Sequence, residues 1–232
     1  MKQQSKPLLS TSRLSVGFRT GKTEVRLFES LDLELNPGQL VCFMGPNGIG
    51  KSSLIRTLAG LQIQLSGYTY IPGEPGLKDL SRQIAVVLTE KISSANMTVS
   101  DVVAFGRYPY LNWNVALTKA DREIVEQAIA RVQISHLADE MIFSLSDGQL
   151  QMVMIARALA QDTPILLLDE PTAHLDLNNR VEIMRLLKSL AAETNKAILV
   201  ATHELDLALQ MADRIWLTGP EKNMLIGIPE DL

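Results

Sequence analysis

Short apolar runs alternate with turn residues at the start of the chain. Residues 8–18 and 25–35 have strand composition and are parted by Arg19-Thr20-Gly21-Lys22. Asn36-Pro37-Gly38 signals a turn, and 39–44 reads as a short buried strand. A glycine-rich loop at 45–50 then runs into a helix over 51–59 that stops at Gly60. Two more short strands are expected at 68–71 and 84–88, around a Pro/Gly-rich connection.

The middle third changes period. Thr98 and Thr118 are each followed three residues on by an aspartate, Asp101 and Asp121, the capping-box spacing of a helix start. Ile124, Ala128, Ile129 and Val132 then share one helical face, and 146–160 is a third helix. The last third returns to alternation. Strands are expected at 165–169, 197–202, 214–218 and 224–228, with helices at 178–194 and 204–212 between them. Strands that alternate with helices imply parallel βαβ units. The pattern predicts one α/β domain spanning 1–232, interrupted by a helical subdomain at approximately 91–160.

Composition narrows the class of function. Lys and Arg number 22 against 26 Asp and Glu, a net charge of −4, and aromatics are 5%. Such a chain lacks the basic stripe and the stacking platforms of a nucleic-acid binder, so no nucleic-acid partner is expected. The single cysteine, Cys42, lies in an apolar run and reads as a small buried hydrophobe. No segment reaches the ~18 apolar residues of a membrane helix. The first residues carry two lysines with no apolar stretch behind them and do not read as a signal peptide. A soluble, cytoplasmic chain is expected, and few residues remain after His203 for a C-terminal regulatory domain.

Chemistry concentrates in four places. Gly45, Pro46, Asn47, Gly48, Ile49, Gly50, Lys51 and Ser52 fit the pattern G-x-x-x-x-G-K-[ST], with a strand before and a helix after. Glycines let the backbone wrap phosphates and aim N–H groups at them, and the helix N-terminus adds partial positive charge. Lys51 brings a full charge to the β- and γ-phosphates, and the Ser52 hydroxyl is placed to ligate Mg²⁺. The run 165–170 ends an apolar strand on Asp169 and Glu170, at the sheet edge where open α/β folds bind ligands. Asp169 is the candidate for the Mg²⁺ shell and Glu170 for base or polariser of the attacking water. Ser146, Asp147, Gly148 and Gln149 open a helix whose free N–H groups suit a phosphate, though a capped helix is the plainer reading. His203 follows another strand end and is the second catalytic candidate, whereas His136 reads as structural.

Taken in order, the glycine loop, Leu145–Gln149 (LSDGQ), Ile165–Pro171 (ILLLDEP), Ala173–Asp176 (AHLD) and His203 resemble the ATP-binding subunits of ABC transporters over essentially the whole chain. The resemblance implies a P-loop NTPase (RecA-like) α/β fold: a mixed-sheet core, an N-terminal antiparallel β subdomain and the inserted helices. It implies ATP and Mg²⁺ as cofactors, with Ser53 also at the nucleotide. It further implies a head-to-tail homodimer in which Ser146–Gln149 of one copy meets the ATP held by the other. Asp176 would lie at the same interface. Phe18 falls where the family stacks an aromatic on adenine; a core phenylalanine is the rival reading. The remaining partners implied are integral membrane permease subunits and, indirectly, a substrate-binding protein. The place implied is the cytoplasmic face of the inner (plasma) membrane, as a peripheral subunit.

Two departures stand out. Asp147 replaces a family glycine, and aspartate tolerates unusual backbone angles better than most residues. Thr89 stands where the family has a glutamine near Mg²⁺, with Glu90 after it, so either residue is a further metal-site candidate with a modified part in coupling. Phe105-Gly106-Arg107-Tyr108-Pro109, followed by Thr118–Asp121, is similar to importers of ferric siderophores, haem and cobalamin. On the residues alone, Gly106 and Pro109 read as a helix stop. In such subunits a groove beside 83–107 receives a short helix of the permease. The alternatives are a soluble ABC-type ATPase acting on nucleic acid or ribosomes, an ABC exporter subunit, or a P-loop kinase.

Overall fold

The computed structural model describes residues 6–21, 23–73, 80–89, 96–113, 116–173 and 175–231. Glu90, which the sequence singled out, lies outside them.

The chain opens with an antiparallel layer. β1 (Leu9–Thr20) pairs with β2 (Thr23–Leu31), with β3 (Glu34–Leu35) and with β5 (Ser66–Tyr70). The expected strand over 25–35 is therefore two strands. Ser30 sits at φ 53 and Arg13 at φ 45, both left-handed, and β1 carries register shifts between Leu14 and Gly17. Such bulges bend β1 and let it change partners along its length. The Arg13 amide donates to Asp32 Oδ1 at 2.8 Å across this kink.

The second sheet has six strands. β4 (Leu40–Met44), β6 (Ile84–Val87), β7 (Ile165–Asp169), β8 (Ala197–Thr202), β9 (Arg214–Thr218) and β10 (Met224–Gly227) lie in the order β10-β9-β4-β8-β7-β6. All neighbours are parallel except β9 and β10. Every residue of β4, β7 and β8 is buried. That is why these strands read as unbroken apolar runs rather than alternating ones. The pleat still divides them. Val41, Phe43, Leu167 and Leu199 join one core with β1 and with α1 (Lys51–Leu58). Leu40, Cys42, Leu166, Leu168, Ile198 and Val200 face the other core, with α5 (Asp147–Ala160) and α6 (Leu177–Thr194). Burial raises the Cys42 thiol to about 12, which fits a packing residue.

Within the Pro/Gly-rich connection, α2 (Leu80–Gln83) is one helical turn that sequence periodicity did not reveal. Between β6 and β7 the described residues are helical apart from one isolated bridge, Thr98 to Met141. α3 (Val99–Ala104), α4 (Lys119–Arg131) and α5 pack on one another. Thr98, Thr118 and Ser146 each make a full capping box. The segment Phe105–Tyr110 forms a 3-10 turn against α5. A Cβ at Gly106 would fall 2.2 Å from the Arg157 carbonyl, so only glycine allows this approach. Arg107 next to it is 6% exposed, and its Nε donates to Asp121 Oδ1 at 2.9 Å. Its Nη1 donates to the Ala160 carbonyl at 2.9 Å, and its guanidinium lies 4.0 Å from the Tyr110 ring centre. α7 (Leu205–Met211) follows β8 and completes the main elements.

Candidate functional site

Four parallel strand ends meet on one edge of the six-stranded sheet. The register aligns Met44 with Thr202, Ala201 with Asp169, and Leu168 with Val87. The residues just past these ends are therefore neighbours. They are the glycine loop after β4, His203 after β8, Glu170 after β7 and Thr89 after β6. A cavity of about 620 Å³ opens there, lined by Phe18, Leu27, Asn47, Gly48, Gly50, Lys51, Ser52, Ser53, Thr89, Glu170, Ala173 and His203.

The loop's geometry follows from its glycines. Gly48 and Gly50 have φ of 77° and 116°, in the left-handed region where a side chain is strained. A Cβ on Gly50 would also meet Leu27 and Phe28 at 3.1 Å. Gly50 caps α1 without a side-chain acceptor, so the first-turn amides of that helix remain available to a ligand. Pro46 and Ile49 do not line the cavity. The Pro46 carbonyl instead accepts from the Ile49 amide at 3.3 Å, and Ile49 packs against the core.

Lys51 is buried, and its ammonium donates to the Gly45 and Pro46 carbonyls at 2.8 and 3.3 Å. It also lies 3.2 Å from Glu170 Oε1. The other oxygen of that carboxylate, Oε2, is 2.7 Å from His203 Nδ1. Glu170 itself has φ 49, a strained angle for a non-glycine residue that costs about 1 kcal/mol or more. Its amide donates to the Ala201 carbonyl at 2.9 Å and its carbonyl accepts from Ala173. The turn thus aims a carboxylate between a lysine and a histidine, where it can accept a proton from water.

Asp169 is buried, and its Oδ1 has no hydrogen-bond partner. The Thr89 hydroxyl lies 3.4 Å from its Oδ2 and 3.3 Å from its carbonyl oxygen. A buried carboxylate oxygen left unpaired is costly without a ligand. One carboxylate, the Ser52 hydroxyl and phosphate oxygens form a donor set suited to Mg²⁺, which takes few protein ligands. Among the described residues no cluster of three His, Cys, Asp or Glu offers a softer metal site. The residues therefore fit the ion that the sequence implied.

Phe18 is 47% exposed at the cavity mouth, which removes the core reading. Ser146, Gly148 and Gln149 are not in this cavity. They line a separate one of about 840 Å³ against α6. Asp147 begins α5 and is exposed. Asp176 caps α6, accepting from the Asn179 amide at 2.9 Å, and Asn179 borders the second cavity. Sequence reading missed Leu27 and the pair Arg180–Glu204 beside His203. No local motif marks them; only the fold brings them to the site.

A donor-rich loop, a buried lysine and an aspartate with an unpaired oxygen lie on one sheet edge, an arrangement whose chemistry suits phosphate. The family model described as ABC transporter matches residues 28–173, and the chain belongs to that family. It is an ATP-binding domain of the ATPase class. Over 97% of its length it is 42% identical to an uncharacterized ABC transporter ATP-binding protein of Methanocaldococcus jannaschii, covering 78% of that protein. It is 34% identical, again over 97%, to the ferric enterobactin transport ATP-binding protein of Escherichia coli, covering 83% of it. The dimeric structure of a bacterial ABC transporter cassette aligns with a TM-score of 0.80 at 25% identity, covering 95% of this chain and 98% of the other. The α/β fold read from the sequence is that of these cassettes. No helix among the described residues is long and apolar enough to cross a membrane.

Proposed function

We propose that this chain is the ATP-hydrolysing motor subunit of an ABC importer for a ferric siderophore, haem or cobalamin. The observation that carries the catalytic part is the convergence of Lys51, Ser52, Thr89, Glu170 and His203 on one cavity, beside the unpaired oxygen of Asp169. The name of the Escherichia coli relative supports the cargo class.

Gly45, Asn47, Gly48, Gly50 and Lys51 hold the triphosphate, with Pro46 and Ile49 shaping the loop and Ser53 at its rim. Phe18 lies against the adenine. Ser52 and Asp169 would hold Mg²⁺, with the Thr89 hydroxyl beside Asp169; such an ion would supply positive charge against the phosphates. Lys51 and His203 both engage Glu170. Phosphate oxygens compete for the Lys51 ammonium, which leaves Glu170 Oε1 free to take a proton from water. Phosphoryl transfer asks mainly for positioning and charge, which this arrangement supplies.

Ser146, Asp147, Gly148 and Gln149 complete the site from a second copy in a head-to-tail homodimer. Their distance from the cavity within one chain and the dimeric relative support this. Closure and reopening are passed to permease subunits at the cytoplasmic face of the membrane, and through them to a substrate-binding protein. The exposed side chains of Phe105, Tyr108 and Trp113 beside 83–107 are the contact offered to the permease. Glu170→Gln tests the chemistry. It should bind ATP, hold a dimer and lose turnover by about 10²–10⁴-fold, the usual worth of a general base. Unchanged hydrolysis overturns the assignment.

A further inference from the structure

His203 is held between two carboxylates that differ in how firmly they hold it. Nδ1 lies 2.7 Å from Glu170, an ordinary hydrogen bond. Nε2 lies 3.5 Å from Glu204 Oε1, beyond one. That same oxygen, Oε1, accepts from Arg180 Nη1 at 2.5 Å. Arg180 comes from the first turn of α6, and its Nε donates to the Leu175 carbonyl at 2.7 Å. The guanidinium is thus anchored at both ends, and it occupies the one Glu204 oxygen that faces the histidine.

We infer that Arg180 is a positioning residue. By claiming Glu204 Oε1 it keeps that carboxylate off His203 Nε2, so this nitrogen, which donates when the ring carries both hydrogens, stays available to a phosphate oxygen. Arg180 Nη1 lies 2.5 Å from that oxygen and His203 Nε2 3.5 Å, so Glu204 is held by the guanidinium rather than by the imidazole. Without Arg180, the part-buried Glu204 carboxylate loses its guanidinium partner and has His203 Nε2 beside it. It closes on Nε2, and the histidine is then clamped by carboxylates on both ring nitrogens. The arrangement also ties the segment before α6, which carries Asp176, to the histidine through one side chain. None of this is visible in the sequence, where Arg180 and Glu204 stand 24 positions apart.

The inference rests on the reading of His203 as a phosphate donor, and the test keeps the two apart. Arg180→Met removes the charge and keeps the length. It should lower kcat about tenfold, the worth of one misdirected charge-assisted hydrogen bond, and leave the KM for ATP within about twofold. Arg180→Met/Glu204→Ala removes the clamp together with its restraint and should recover most of the turnover. The ring ¹⁵N resonances of His203 in the nucleotide-free protein supply an independent readout. The chain has three histidines, and His203→Asn identifies the signal. The Nε2 signal should shift in Arg180→Met and return in the double variant. An unmoved signal, or a double variant as slow as the single one, overturns the inference and leaves Arg180 as a tie for Leu175. Full activity in His203→Asn would instead sink the reading of His203, whatever Arg180 does.

Discussion

Two motif-rich regions of this molecule use their polar residues in opposite ways. At the strand ends, Lys51, Glu170 and His203 contact one another around an open cavity, and Asp169 keeps an oxygen unpaired. In the helical layer, Gly106, Arg107 and Asp121 are consumed by packing. The glycine lets the 3-10 turn touch α5, and Arg107 spends its donors on Asp121 and Ala160. The first region stores unmet bonding capacity for a ligand; the second meets its own. Gly106, Arg107 and Asp121 therefore form a buried clasp, while Phe105, Tyr108 and Trp113 stand exposed beside it.

This contrast can be broken by substitution. Arg107→Met should cost about 3–5 kcal/mol, because it strands a buried Asp121 without its charge partner. Chemical denaturation checks the loss, and the protein that stays folded should bind ATP as the parent does. Weakened ATP binding without lost stability would mean that the clasp belongs to the site. Thr89→Ala acts at the other region. It should leave stability within about 0.5 kcal/mol, as exposed positions do, yet raise the Mg²⁺ needed for tight ATP binding several-fold. Titrating ATP binding against Mg²⁺ checks this, and Thr89→Ser should stay near the parent.

A smaller effect follows from pH. The Thr118 hydroxyl, its backbone amide and Arg107 hold the Asp121 carboxyl below its usual value. A depressed folded pKa gives stability that is full above the unfolded value, about 3.9, and lost as pH falls through the folded one. The stability gap between parent and Asp121→Asn should be flat from neutral pH to about 5 and narrow below 4. A gap that closes near neutrality would contradict the pairing.

Much of this could be read from the chain. The phosphate loop, the acidic strand end and the histidine after β8 are local signals, and each lies at a strand end as its pattern implies. The fully buried strands were legible because their apolar runs are continuous. Other features were not legible, for a physical reason in each case. β1 changes partners near left-handed Arg13, and left-handed Ser30 bends the facing β2, residues that composition does not mark for such angles. Thr89 reaches Asp169 across 80 positions, and Arg107 finds Asp121 only because Gly106 lets the turn sink onto α5. Phe105–Pro109 read as a helix stop, and α3 does end at Ala104, but nothing local showed that Arg107 bonds Asp121 and Ala160.

In the proposed dimer the cavity of one chain is half a site, completed by Ser146–Gln149 of another. Lys51→Met ruins the cavity side, and Ser146→Arg ruins the completing side. A mixed head-to-tail dimer of the two variants carries both lesions in one site and leaves the other intact. ATPase activity of the mixture tests this most directly. Each variant alone should be inactive, and the mixture should regain turnover. A mixture as inactive as its components would contradict the account.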